Sequence, residues 1–92
     1  MVEQAHLQYQ LQVLEMQRQQ TLSQLEEVKE TLNKLSDAKG KVYQFHGMLI
    51  METDKDTAQQ ELESLVSSLE DRLKAIELQL ERVKKKLKDK ED

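Results

Sequence analysis

Lys41–Asp54 reads KVYQFHGMLIMETD, a short apolar stretch between two long polar ones. It holds the only phenylalanine, one of two tyrosines and two of the four methionines of a 92-residue chain. Val42, Tyr43, Phe45, Leu49 and Ile50 all favour extended backbone. The pattern therefore predicts a β-hairpin over about 41–52, turning at His46-Gly47. In that register Phe45 opposes Met48, Tyr43 opposes Ile50, Val42 opposes Met51 and Lys41 opposes Glu52. One face then carries Tyr43, Phe45, Met48 and Ile50, and the other Val42, Gln44, Leu49 and Met51. Both faces are largely apolar, and a lone two-stranded ribbon is marginal in water. Hairpins of several chains pairing edge to edge would remove the problem. Val42, Tyr43, Phe45, Met48, Leu49, Ile50 and Met51 are thus the expected oligomerisation residues. An irregular apolar linker covering the end of its own helices is the other reading of the same residues.

Outward from the hairpin, both flanks follow a coiled-coil rhythm. On the first, Leu7, Leu11, Leu14, Arg18, Thr21, Leu25, Val28, Leu32 and Leu35 alternate in steps of four and three. On the second, Leu62, Val66, Leu69, Leu73, Ile76, Leu80, Val83 and Leu87 do the same without a polar break. The predicted helices run over about 5–38 and 54–90, each about 50–55 Å long at 1.5 Å per residue. Gly40 is the expected stop of the first. Thr53 is the expected cap of the second, with Asp56 three residues on. A short linker folds the arms back antiparallel. Arg18 and Thr21 then face the stretch Leu73–Leu80, where the seam is expected to loosen, unless Arg18 simply carries its charge out to solvent. The fold class is mostly α: one domain over 1–92, an antiparallel two-helix coiled coil with one hairpin at the connecting end.

Composition bounds the function. There is no cysteine, so neither disulfides nor thiolate metal sites are available, and the two histidines, His6 and His46, lie far apart. No metal or cofactor is expected. Fourteen basic against eighteen acidic residues give a net charge of −4, which does not favour a nucleic-acid binder. Enzymatic chemistry has no footing: no phosphate-binding glycine loop, no thiol nucleophile and no histidine-centred constellation. No apolar run approaches a membrane span, and MVEQAHLQYQ lacks the marks of a secretory leader, so a cytoplasmic location is expected.

The residues together resemble a known family. Lys41-Val42-Tyr43, Gly47, the apolar Met48-Leu49-Ile50-Met51 and Asp54-Lys55-Asp56 look like the hairpin signature of a beta-class prefoldin subunit. Leu69-Glu70-Asp71-Arg72-Leu73 and Leu80-Glu81-Arg82-Val83 resemble the same family's second arm. The likeness covers essentially the whole chain, and is most like the archaeal type. Its arms look shorter than is usual, and Met51 extends the apolar run of the second strand.

The resemblance implies an ATP-independent co-chaperone subunit. Such subunits form a hexamer of two alpha-class and four beta-class chains, with hairpins closing a double β-barrel and coiled-coil tentacles below. The tentacle tips capture non-native proteins and pass them to a group II chaperonin. Carried onto this chain, client contacts are expected from Met1, Val2, Ala5, Leu7, Leu11, Val83 and Leu87, where the helix pair frays. Arg82, Lys84, Lys85, Lys86, Lys88 and Lys90 form a basic tip suited to an acidic chaperonin or client surface, or simply to the helix C-terminus. The partners implied are alpha-class subunits or further copies of this chain, unfolded clients and a chaperonin. Two other readings stand beside it: a structural or scaffolding coiled-coil oligomer, and a prefoldin-like regulatory adaptor without general client binding.

Overall fold

A computed structural model describes residues 2–91, without the side chains of His46, Lys90 and Glu91. The order is α1 (Val2–Asp37), β1 (Val42–His46), β2 (Leu49–Thr53) and α2 (Lys55–Glu91). The two helices pack along their length into a rod of 62 × 24 × 15 Å, with the hairpin at the connecting end.

The heptad positions make the contact between helices. Leu7, Leu25 and Leu35 of α1 and Leu69, Ile76, Leu80 and Val83 of α2 are buried, and the remaining apolar seam residues are half-buried. Most other positions of the two arms are polar or charged, so packing of this stripe supplies most of what holds the helices together.

The seam does not loosen midway. Thr21 is the most buried side chain of the described residues, at 1% exposure, and Ile76 and Leu80 are closed on the same stretch. Threonine is small enough to sit in the interface, and its hydroxyl donates to the Gln17 carbonyl at 2.8 Å, so no polar group is left unpaired. Arg18, one turn earlier, lies exposed and takes its charge to solvent.

Two local assignments change at the connection. The cap of α2 is Asp54, not Thr53: its carboxylate accepts the Thr57 backbone N–H at 2.7 Å and the Thr57 hydroxyl at 2.9 Å. Thr53 is unavailable because it is the last residue of β2, paired with Val42. At the other side α1 ends at Asp37, closed by the Ala38 N–H on the Leu35 carbonyl at 3.0 Å. Gly40, with φ +88°, turns the chain into β1 instead of ending the helix directly.

The hairpin turns at Gly47-Met48, one residue later than His46-Gly47. The pairs are Val42–Thr53, Tyr43–Glu52, Gln44–Met51, Phe45–Ile50 and His46–Leu49. Gly47 has φ +64°, and among the described residues no non-glycine residue has positive φ. Positive φ at the first central position alone is the pattern of a two-residue type II′ turn, which wants glycine there. Moving a two-residue turn by one position moves every cross-strand partner by two. Since strand side chains alternate with period two, the faces keep their parity. Tyr43, Phe45 and Ile50 still share one face, now with Glu52 in place of Met48, which sits in the turn.

Candidate functional site

Three contacts fix the hairpin at the end of the rod. The Lys55 ammonium donates to the Ser36 carbonyl at 2.8 Å, so the start of α2 is fastened to the end of α1. The Gln44 amide donates to the Glu61 carboxylate at 2.7 Å, joining β1 to the second turn of α2. Ala58, 2% exposed, is buried where the chain enters α2, its N–H on the Asp54 carbonyl at 3.1 Å. Asp54 completes this corner, and the hydrogen bond from the Thr57 backbone, with that from its hydroxyl, holds its carboxyl below the ordinary carboxylate value.

This anchoring leaves most of the ribbon uncovered. Val42, Gln44 and Thr53, on one face, are half-buried against the helix ends. Tyr43, Phe45 and Ile50, on the other, are exposed, Phe45 at 78%. Leu49 and Met51, on the first face, are exposed as well, and Met48 at the turn is wholly exposed. Six of the seven expected oligomerisation residues thus lie open to solvent on one short ribbon, and the seventh, Val42, is half-buried at its base. Large apolar side chains gain about 1.5–3 kcal/mol each on full burial. The ion pair at the base of the ribbon, Lys41 with Glu52 at 3.6 Å, is exposed and worth at most about 1 kcal/mol. The ribbon's balance therefore favours being covered.

The far end of the rod divides the remaining expected residues. Val2 and Ala5 are exposed, and Leu11 and Leu87 are half-buried. Leu7 and Val83 are 7% and 9% exposed, closed into the seam. Met1 lies outside the described residues. The basic cluster is also divided. Arg82 and Lys86, four residues apart, line a groove between the helices, whereas Lys84 lines the opposite side with Glu15, Glu77 and Glu81. Lys85 and Lys88 are exposed, and the side chain of Lys90 lies outside the described residues.

Heptad reasoning overlooks part of the apolar lining of the first groove. Tyr9 and Val13, four residues apart on α1 and off the seam, contribute it. Little in the sequence signals it: Tyr9 recurs with Val2 and Met16 every seven residues on an exposed outer face, but neither Val2 nor Met16 lines this groove. Among the described residues no group of histidines and carboxylates suits a metal ion, and no helix is long and apolar enough to cross a membrane.

Among the described residues the fold is a helical hairpin whose one sheet is a largely uncovered apolar ribbon. Comparison with known proteins agrees. The Prefoldin subunit family model Prefoldin_2 matches residues 2–92, and the chain belongs to that family. It is 38% identical over 85 residues to the prefoldin subunit beta of Pyrococcus furiosus, covering 89% of this chain and 72% of that one. The corresponding subunit of Thermococcus onnurineus is 37% identical over 84 residues, with the same coverage. The crystal structure of the prefoldin beta subunit from Thermococcus strain KS-1 superposes with a TM-score of 0.89 at 35% identity, over 95% of this chain and 78% of that one. The likeness is to the beta class, and the chain is a chaperone component, not an enzyme.

Proposed function

We propose that the chain works as the beta-class subunit of a cytoplasmic, ATP-independent co-chaperone that holds non-native proteins at its arm ends and delivers them to a group II chaperonin. The observation that carries this reading is the uncovered ribbon of Tyr43, Phe45, Leu49, Ile50 and Met51 at one end of a 62 Å rod. Ribbons from several chains, of this kind or with alpha-class partners in a hexamer, close into a shared barrel and point the arms the same way. Val2 and Ala5 meet clients directly. Leu11 and Leu87 join them as the last turns fray, and Leu7 and Val83 contribute only when the seam opens. Weak apolar contacts repeated over several arms hold a client without a shaped pocket. The basic residues Arg82, Lys84, Lys85, Lys86, Lys88 and Lys90 steer the arm end toward acidic surfaces, the chaperonin's among them.

The burial of Leu7 and Val83 favours a second reading, a scaffold whose arms stay closed and bind no general client. One assay separates the two. The purified protein, alone and with an alpha-class partner, is mixed with a denatured client while light scattering is followed. Suppressed aggregation is the expected result, and no suppression by any assembled form leaves the scaffold.

A further inference from the structure

The groove on one side of the distal arms has a composition that the closed seam and the arm tip lack. Its apolar lining comes from Tyr9, which is exposed, and half-buried Val13 and Leu14 on α1, with buried Val83 on α2. Its α2 wall carries two cations, Arg82 and Lys86, and none of its lining residues is acidic. The opposite side of the same arms is the reverse, a polar cleft where Glu15, Glu77 and Glu81 surround Arg18 and Lys84. In a chain of net charge −4 this is a local inversion of sign. Gln10 and Gln17 add amides along the α1 wall, able to donate to and accept from an extended backbone.

We propose that this side groove docks extended segments in which an apolar residue is flanked by carboxylates. The anchor lies on Tyr9 and Val13, and the carboxylates meet Arg82 and Lys86, of which the guanidinium pairs bidentately with a carboxylate. The proposal rests on the chaperone reading, to which it adds a class of client segment. It also separates a lateral binding strip from the tip: Val2 and Ala5 take apolar residues of any flank, while the groove selects by charge.

The test uses the purified protein in its assembled form and two labelled peptides followed by fluorescence anisotropy. Both carry a central Leu-Phe pair, one flanked by glutamates and one by lysines. The acidic peptide is expected to bind about fivefold or more tighter at low salt, and to lose that advantage near 1 M salt, where screening is short-ranged. Arg82→Glu with Lys86→Glu is expected to reverse the order. Tyr9→Gln with Val13→Gln is expected to weaken both peptides while leaving helicity and assembly mass unchanged. Equal binding of the two peptides, or a preference that survives the charge reversal, overturns the proposal. So does a change of assembly mass with the Tyr9 and Val13 substitutions, which would assign the groove to a second copy of the chain. The two readings fail separately. Full suppression of client aggregation by both double variants sinks the groove and leaves the chaperone. Suppression by no form at all sinks the chaperone, while the peptide titration still judges the groove.

Discussion

Single residues at the connection show how much depends on one atom's partner. Thr53 and Asp54 are adjacent and both are good helix caps. The strand claims Thr53 through its pairing with Val42, so the cap falls to Asp54. Sequence alone does not settle such a contest, because it is decided by where the strand ends. Asp54→Ala is expected to lower the thermal midpoint by a few degrees, and Asp54→Asn to restore most of it, since the amide oxygen still accepts the Thr57 N–H. The pH dependence has a definite sign. The folded-state pKa of Asp54 is lowered from its ordinary value of 3.8, so its stabilisation is present above that value and is lost as pH falls through the lowered one. Acid unfolding followed by circular dichroism should therefore be less steep below pH 3.8 in Asp54→Asn than in the parent. Ala58 is a second residue that the heptad reading passes over. Alanine carries little hydrophobic signal, yet it sits four residues before Leu62 and is almost fully buried. Ala58→Leu is expected to cost about 1–3 kcal/mol by overpacking, read as a lower denaturation midpoint.

At the scale of elements, the two helices were legible because a repeat of seven is redundant. All eight apolar seam positions of the second arm are buried or half-buried, and the two polar positions Arg18 and Thr21 did not disturb the phase of the first. The turn was less legible because it depends on a single torsion. His46-Gly47 and Gly47-Met48 are both two-residue turns containing the glycine, and the apolar runs on either side suit both. What decides is that positive φ is needed at the first central position, and only Gly47 reaches it without steric cost. The parity of the faces survived because the displacement of partners was two, so Tyr43, Phe45 and Ile50 still share one face although the register differs. A Cβ at position 47 would meet nothing within 4 Å, hence any penalty there is conformational rather than steric crowding. Gly47→Val is expected to cost the hairpin about 1–2 kcal/mol, and to reduce the assembled fraction in sedimentation velocity while the helical circular-dichroism signal barely changes. The side groove was hardly legible: Tyr9 and Val13 stand off the seam, and the α2 residues they meet, Arg82, Val83 and Lys86, depend on the helix pairing.

For the whole molecule, the decisive contrast is between its two ends. The arms are self-sufficient: their seam is closed at Thr21, Leu7 and Val83, and their charges face water. The ribbon is not, because Phe45, Ile50, Leu49 and Met48 have no cover within the chain. Assembly and arm stability should therefore separate under mutation. Phe45→Lys places a charge at the centre of the uncovered face, opposite Ile50, where closing a barrel would bury it unpaired at a cost of several kcal/mol. Sedimentation should then report a single chain whose circular dichroism remains that of the parent. The sharper consequence concerns holding of clients. If each arm end binds only weakly, linking several on one body raises the effective affinity by orders of magnitude without any new contact. The Phe45→Lys chain keeps Val2, Ala5, Tyr9 and Val13 intact, yet is expected to lose suppression of aggregation at equal arm concentration. Fusing it to an unrelated oligomerising module should restore part of that activity. Full activity of the single chain would show instead that one arm suffices, and that the assembly serves delivery and not capture.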